Sequence, residues 1–79
     1  MGQEDIIKLL EEKPRLCSKE IAEELELDLS KVSRIVHKIL DRDIKQEKPT
    51  EEELERILEH FPKCIHGLSK LFVFEVIEE

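Results

Sequence analysis

The chain has 79 residues, with 20 acidic side chains against 13 Lys and Arg and a net charge of -7 at neutral pH; that length supports one small core. Its longest apolar run, Leu71, Phe72, Val73 and Phe74, is far short of a membrane span. The start, MGQEDI, has neither an apolar signal stretch nor the hydroxyl residue of a myristoylation motif, so a soluble cytoplasmic protein is expected.

Ile6, Ile7 and Leu10 set a helix over residues 3–13, which Pro14 ends because the residue before proline avoids the helical region. Residues 15–17 are then extended. Ser18 is the expected N-cap of a second helix reaching Leu25, with Glu20 near the positive end of its dipole and Ile21, Ala22 and Leu25 turned inward. Residues 26–29 lead to a third helix that runs to Arg42, capped by Asp28 or Ser30. Val32, Ile35, Val36, Ile39 and Leu40 fill one side of it. Lys31, Arg34, Lys38 and Arg42, at steps of three and four, fill the other. Asp43 is the expected left-handed residue where the chain leaves this helix. Residues 44–48 alternate weakly as a short strand, ended by Pro49.

Thr50 and Glu53 have capping-box spacing for a fourth helix over residues 51–61, with Leu54, Ile57, Leu58 and Phe61 on one face. After a loop over residues 62–69, residues 71–77 form the one convincing strand. Its apolar character calls for a partner within the domain or across a dimer.

A helix held by an apolar face and presenting cations suits a DNA groove. The overall negative charge opposes this at long range, but it is unevenly spread. Residues 15–48 balance eight cations with eight acids, whereas residues 49–79 set eight glutamates against Arg56, Lys63 and Lys70. Salt screens beyond about 8–10 Å, so the position of the last third decides how much this matters. Cys64, His60 and His66, with Cys17, are of metal-ligand type, but their spacing matches no structural zinc pattern. The simpler reading is reduced thiols, with Cys17 a small buried hydrophobe, surface histidines and no cofactor. No phosphate loop and no nucleophile motif is present, so no enzyme is expected.

Ile21-Ala22-Glu23-Glu24-Leu25, then Leu27, then Ser30-Lys31-Val32-Ser33-Arg34 resembles the helix-turn-helix of winged-helix transcriptional regulators of the MarR/ArsR kind, in a match over residues 4–48. The resemblance implies an α+β fold: a small winged helix-turn-helix domain with a three-helix core, one extra helix and a short antiparallel sheet of residues 15–17, 44–47 and 71–77. Residues 1–48 would be the helix-turn-helix core and first wing strand, and residues 49–79 the extra helix and C-terminal strand. It implies a transcriptional regulator that reads the major groove of double-stranded DNA with the helix over residues 30–42. Ser30, Lys31, Ser33, Arg34 and His37 would face base edges, and Lys19, Lys38, Arg42 and Lys45 would meet phosphates. A homodimer reading paired half-sites is the expected state. Glu26 and Asp43 stand where the family pattern has glycine; Glu26 suggests an ordinary α-turn or a longer second helix. The alternative function is an acidic winged-helix protein-interaction module that docks through the C-terminal strand without touching DNA.

Overall fold

Ile6, Leu9 and Leu10 recur at helical spacing and are all buried, which makes residues Gln3–Glu12 the helix α1; the computed structural model describes residues 2–77. Gly2 precedes α1 with φ of 86°, and its N–H donates to the Asp5 carboxylate at 3.3 Å. A side chain at Gly2 would begin 2.7 Å from Ile35 Cδ1, so glycine lets the start of α1 approach the third helix. Lys13 leaves the helical region just before Pro14, as the proline requires.

Helix α2 spans Ser18–Leu25, and its N-cap is Cys17, not Ser18. The Cys17 N–H donates to the Glu20 carboxylate at 3.1 Å, so Glu20 satisfies a specific orphan donor as well as the helix dipole. The turn that follows overturns the expectation of an ordinary α-turn. Glu26 is left-handed, with φ of 55° and ψ of 44°, and the next N–H, of Leu27, donates to the Ala22 carbonyl at 2.9 Å. A glutamate therefore takes the geometry that glycine takes more easily, at a cost of about 1–2 kcal/mol. Packing of Leu27 against the main core offsets it.

Helix α3 spans Leu29–Ile39, with Asp28 as an extended N-cap, and ends short of the expected Arg42. Leu40 is extended and bridges to Ile44, and the left-handed residue is Asp41, with φ of 67°, not Asp43. The reason is packing. Ile44 is fully buried, and the chain must reverse quickly to bring it in; the Asp41 N–H closes that turn on the Ile44 carbonyl at 2.7 Å. Arg42 consequently lies in the turn, off the cationic stripe of α3.

Strands β1 (Ile44–Glu47) and β2 (Val73–Val76) pair antiparallel, with Ile44 opposite Val76 and Glu47 opposite Val73. Residues 15–17 do not form a third strand. Leu16 makes a single bridge to Phe74, its N–H and carbonyl bonding the Phe74 backbone at 3.3 and 2.9 Å. Both edges of β2 are thereby occupied near its centre, and the open-edge problem is answered inside the chain. Between the strands comes α4 (Glu51–His60), capped as expected: Glu53 N–H donates to the Thr50 hydroxyl at 3.2 Å and Thr50 N–H to the Glu53 carboxylate at 2.9 Å. Where a loop was expected, Pro62–Lys70 is a 3₁₀ segment broken at Gly67.

Adjacent side chains of a strand point to opposite faces, and β2 uses this to join two apolar clusters. Phe74 enters the main core with Ile6, Leu10, Ile21, Val32, Val36, Ile39 and Ile44. Val73 enters a second cluster with Cys17, Ile57 and Cys64, closed by Leu58, Phe61 and Leu71. The second cluster is what seats α4. It also takes inside the molecule much of the apolar strand surface that suggested a dimer or docking strand.

Candidate nucleic-acid interface

Val32, Val36 and Ile39 bind α3 to the core, each at most 4% exposed, and this row decides what the helix presents. At 3.6 residues per turn, positions 30, 34 and 37 fall opposite it. Ser30, Lys31, Arg34, His37 and Lys38 are exposed, and Ser33 is half-buried. Lys31, Arg34 and Lys38 flank a groove shared with Gln3 and Glu4 at the start of α1. Ser33 and His37 turn to the other side, toward a groove of about 380 Å³ lined also by Gln46 of β1, by Lys70 and by Phe72. Among the described residues, no carboxylate pairs with Lys31, Arg34 or Lys38. Their charge is therefore directed at solvent.

The remaining predicted contacts are less uniform. Lys19 is half-buried and lines a small cavity with Ser18, Lys70 and Phe72. Arg42 is exposed in the turn beyond α3. Lys45 stands apart: on β1 it lies 3.4 Å from Glu75 and 3.9 Å from Glu47, on the sheet face opposite Gln46. Sequence reasoning passed over Leu29, an apolar residue 41% exposed at the start of α3, and also Gln46 and Lys70. A single Gln or Lys beside a strand carries no pattern; only the sheet register brings these two next to α3.

The glutamates of α4 lie elsewhere. Arg15, held at φ of 65°, directs its guanidinium at Glu53 of α4, donating at 2.6 and 3.1 Å. It also donates to Glu47, to Glu75 at 3.4 Å and to the Lys48 carbonyl at 3.3 Å. Arg56 of α4 in turn donates to both carboxylate oxygens of Glu20 at 2.9 and 3.0 Å and to the Arg15 carbonyl at 3.0 Å. The hydrogen bond from Arg15 holds the Glu53 carboxyl below its ordinary value of 4.5, and Glu47 is lowered for the same reason. Neither groove beside α3 is lined by a residue of α4.

The metal-type residues separate. Cys17 and Cys64 are buried free thiols of the second cluster, while His60 and His66 are exposed. Burial pushes the Cys17 thiol up to about 11, which leaves little thiolate at neutral pH for ligation or attack. Among the described residues no three His, Cys, Asp or Glu side chains converge as metal ligands, and no helix is long and apolar enough to cross a membrane.

A family model described as winged helix-turn-helix DNA-binding matches residues 3–43; no curated protein and no solved structure matches the chain. The match is to that family at large and singles out neither the MarR nor the ArsR branch. It covers more than half of the sequence and takes in α1, α2, α3 and the turn beyond, so the chain belongs to the winged helix-turn-helix DNA-binding family.

Proposed function

We propose that this protein is a transcriptional regulator that binds double-stranded DNA sequence-specifically, with α3 in the major groove. Ser30, Lys31, Ser33, Arg34 and His37 face base edges. Arg34, at the crest of the helix, is the residue for a bidentate guanine contact. Lys19, Lys38 and Arg42 meet phosphates and set register. Lys45 is left out of that set, because Glu75 and Glu47 already engage it. The observation that carries the reading is the run of exposed cations on α3 that have no carboxylate partner among the described residues, with α4 tied instead to Arg15 through Glu53 and to Glu20 of α2 through Arg56.

The test is retention of duplex DNA by the Lys31→Ala, Arg34→Ala double variant at low salt. Loss of retention with an unchanged melting temperature supports the reading, and unchanged retention removes it. A homodimer is part of the proposal because paired half-sites call for paired recognition helices. Ile65 and Leu68, 57% and 40% exposed on the 3₁₀ segment, are the apolar side chains at hand for it. A solution mass of one chain at high concentration, with and without DNA, would remove that part.

A further inference from the structure

The groove on the α1 side of α3 holds a carboxylate among its cations. Lys31, Arg34 and Lys38 line it with Gln3, Glu4 and Ile35, around a volume of about 590 Å³. Among the described residues, Glu4 is the only acid that lines either groove beside α3. The closeness of α1 is built into the chain, because Gly2 has no side chain to meet Ile35. Of the two acids in the first turn of α1, Asp5 is occupied by the Gly2 N–H at 3.3 Å. Glu4 is exposed and, among the described residues, pairs with no cation, neither the three on α3 nor Lys8 one turn along α1. A carboxylate set among three cations without bonding any of them ties no elements together. What it does is lower the positive potential that the groove presents.

We propose that Glu4 is a specificity-determining residue that acts by repulsion, weakening the hold of α3 on DNA of the wrong sequence more than on its own site. The inference rests on the DNA reading above. On a wrong sequence binding is almost wholly electrostatic. Lys31, Arg34 and Lys38 then all turn to backbone phosphates and bring them to the groove that holds Glu4. On the right sequence Lys31 and Arg34 turn to base edges, which carry no net charge, and Lys38 alone stays on a phosphate. Glu4 therefore opposes more phosphate charge in the wrong complex than in the right one. A penalty on the competing complex raises discrimination as a contact added to the right one does. Coulomb's law sets the scale: one phosphate about 8 Å from a carboxylate in water costs roughly a factor of two to three in affinity.

The experiment measures anisotropy of two labelled duplexes at low salt, one selected by the wild-type protein from a random pool and one of scrambled sequence. Glu4→Gln keeps the shape of the side chain and removes its charge. It should tighten binding to the scrambled duplex by roughly two- to threefold and to the selected duplex by less, so the ratio of the two affinities falls. Glu4→Lys reverses the charge and should roughly square the gain on the scrambled duplex. Glu4 is exposed, so neither change disturbs packing. Both gains should fade as salt rises, because screening shortens their reach. Glu59→Gln, exposed on α4 and lining neither groove, removes the same net charge and should change neither affinity measurably. Equal tightening of both duplexes by Glu4→Gln, or a change no larger than that of Glu59→Gln, overturns the role of Glu4 while the DNA reading stands on Lys31 and Arg34. Failure of the wild-type protein to select any duplex overturns the DNA reading and the role of Glu4 with it.

Discussion

The outer face of α3 and the face around Arg15 are both crowded with charge, and they use it in opposite ways. Around Arg15 each guanidinium meets carboxylates: Glu47, Glu53 and Glu75 for Arg15, and Glu20 for Arg56. On α3 the cations have no such partners among the described residues. Paired charge of this sort ties elements together, here α4 to α2 and to the sheet. Unpaired charge of one sign adds nothing to the fold and raises local potential, which is what attracts a polyanion. A net charge of -7 is thus a poor guide to this protein, because much of its acidity is either neutralised around Arg15 or carried on α4, away from the grooves beside α3.

The largest effects are expected when the charge of one face is removed and the other is left intact. Removing Lys31 and Arg34 together should weaken duplex binding by roughly 2–6 kcal/mol if both make base contacts. It should leave unfolding free energy within about 0.5 kcal/mol, as surface changes away from packing do. Arg15→Gln should do the reverse. It leaves Glu53, whose side chain is only 14% exposed, without its main donor, and about 1–3 kcal/mol of stability should be lost. Urea unfolding and duplex titration of both variants separate the faces; equal effects of Arg15→Gln on both measurements would show that they are coupled.

The parts of the fold that were legible in the sequence are those set by near neighbours. Val32, Val36 and Ile39 follow helical period, the Thr50–Glu53 cap needs only four residues, and the apolar run around Val73 and Phe74 reads as a strand wherever it pairs. What was not legible depends on partners far along the chain. Arg15 meets Glu53 across 38 positions, and no periodicity records that distance. Arg15, Glu26 and Asp41 adopt positive φ without being glycine or asparagine. Local preference argues against Arg15 and Glu26 and merely tolerates Asp41, and tertiary packing of Leu16, Leu27 and Ile44 imposes the conformation at each. The site divides in the same way. The exposed row on α3 could be read from period alone, whereas the place of Lys70 beside it follows only from the pairing of β1 with β2.

Acid should weaken the Arg15 face selectively. The folded-state values of Glu53 and Glu47 are depressed by hydrogen bonds from Arg15. A carboxylate with a depressed value contributes stability above its ordinary value of 4.5 and loses that contribution as pH falls through the depressed one. The melting temperature of the wild type should therefore fall more steeply below about pH 4.5 than that of Arg15→Gln, and the two curves should converge in acid. Parallel curves would mean that Arg15 does not set those carboxyl groups.

The smallest effect concerns the turn that aims α3 relative to α2. Glu26 is exposed and left-handed, with Leu27 packed on the core just after it. Glycine relieves the Cβ clash of that conformation, although it also gives the unfolded chain more freedom. The balance should leave Glu26→Gly more stable by about 1 kcal/mol, measured by urea unfolding. Glu26→Ala removes the same charge but keeps the clash, so it should show little gain. If Ala stabilises as much as Gly, the turn is an ordinary helical continuation and the direction of α3 rests on something other than a left-handed residue. If Gly alone stabilises, the aim of the helix is set by backbone geometry that charge does not control. Duplex affinity should then follow Lys31 and Arg34 and be indifferent to Glu26, although Glu26 lies only a few residues before them in the chain.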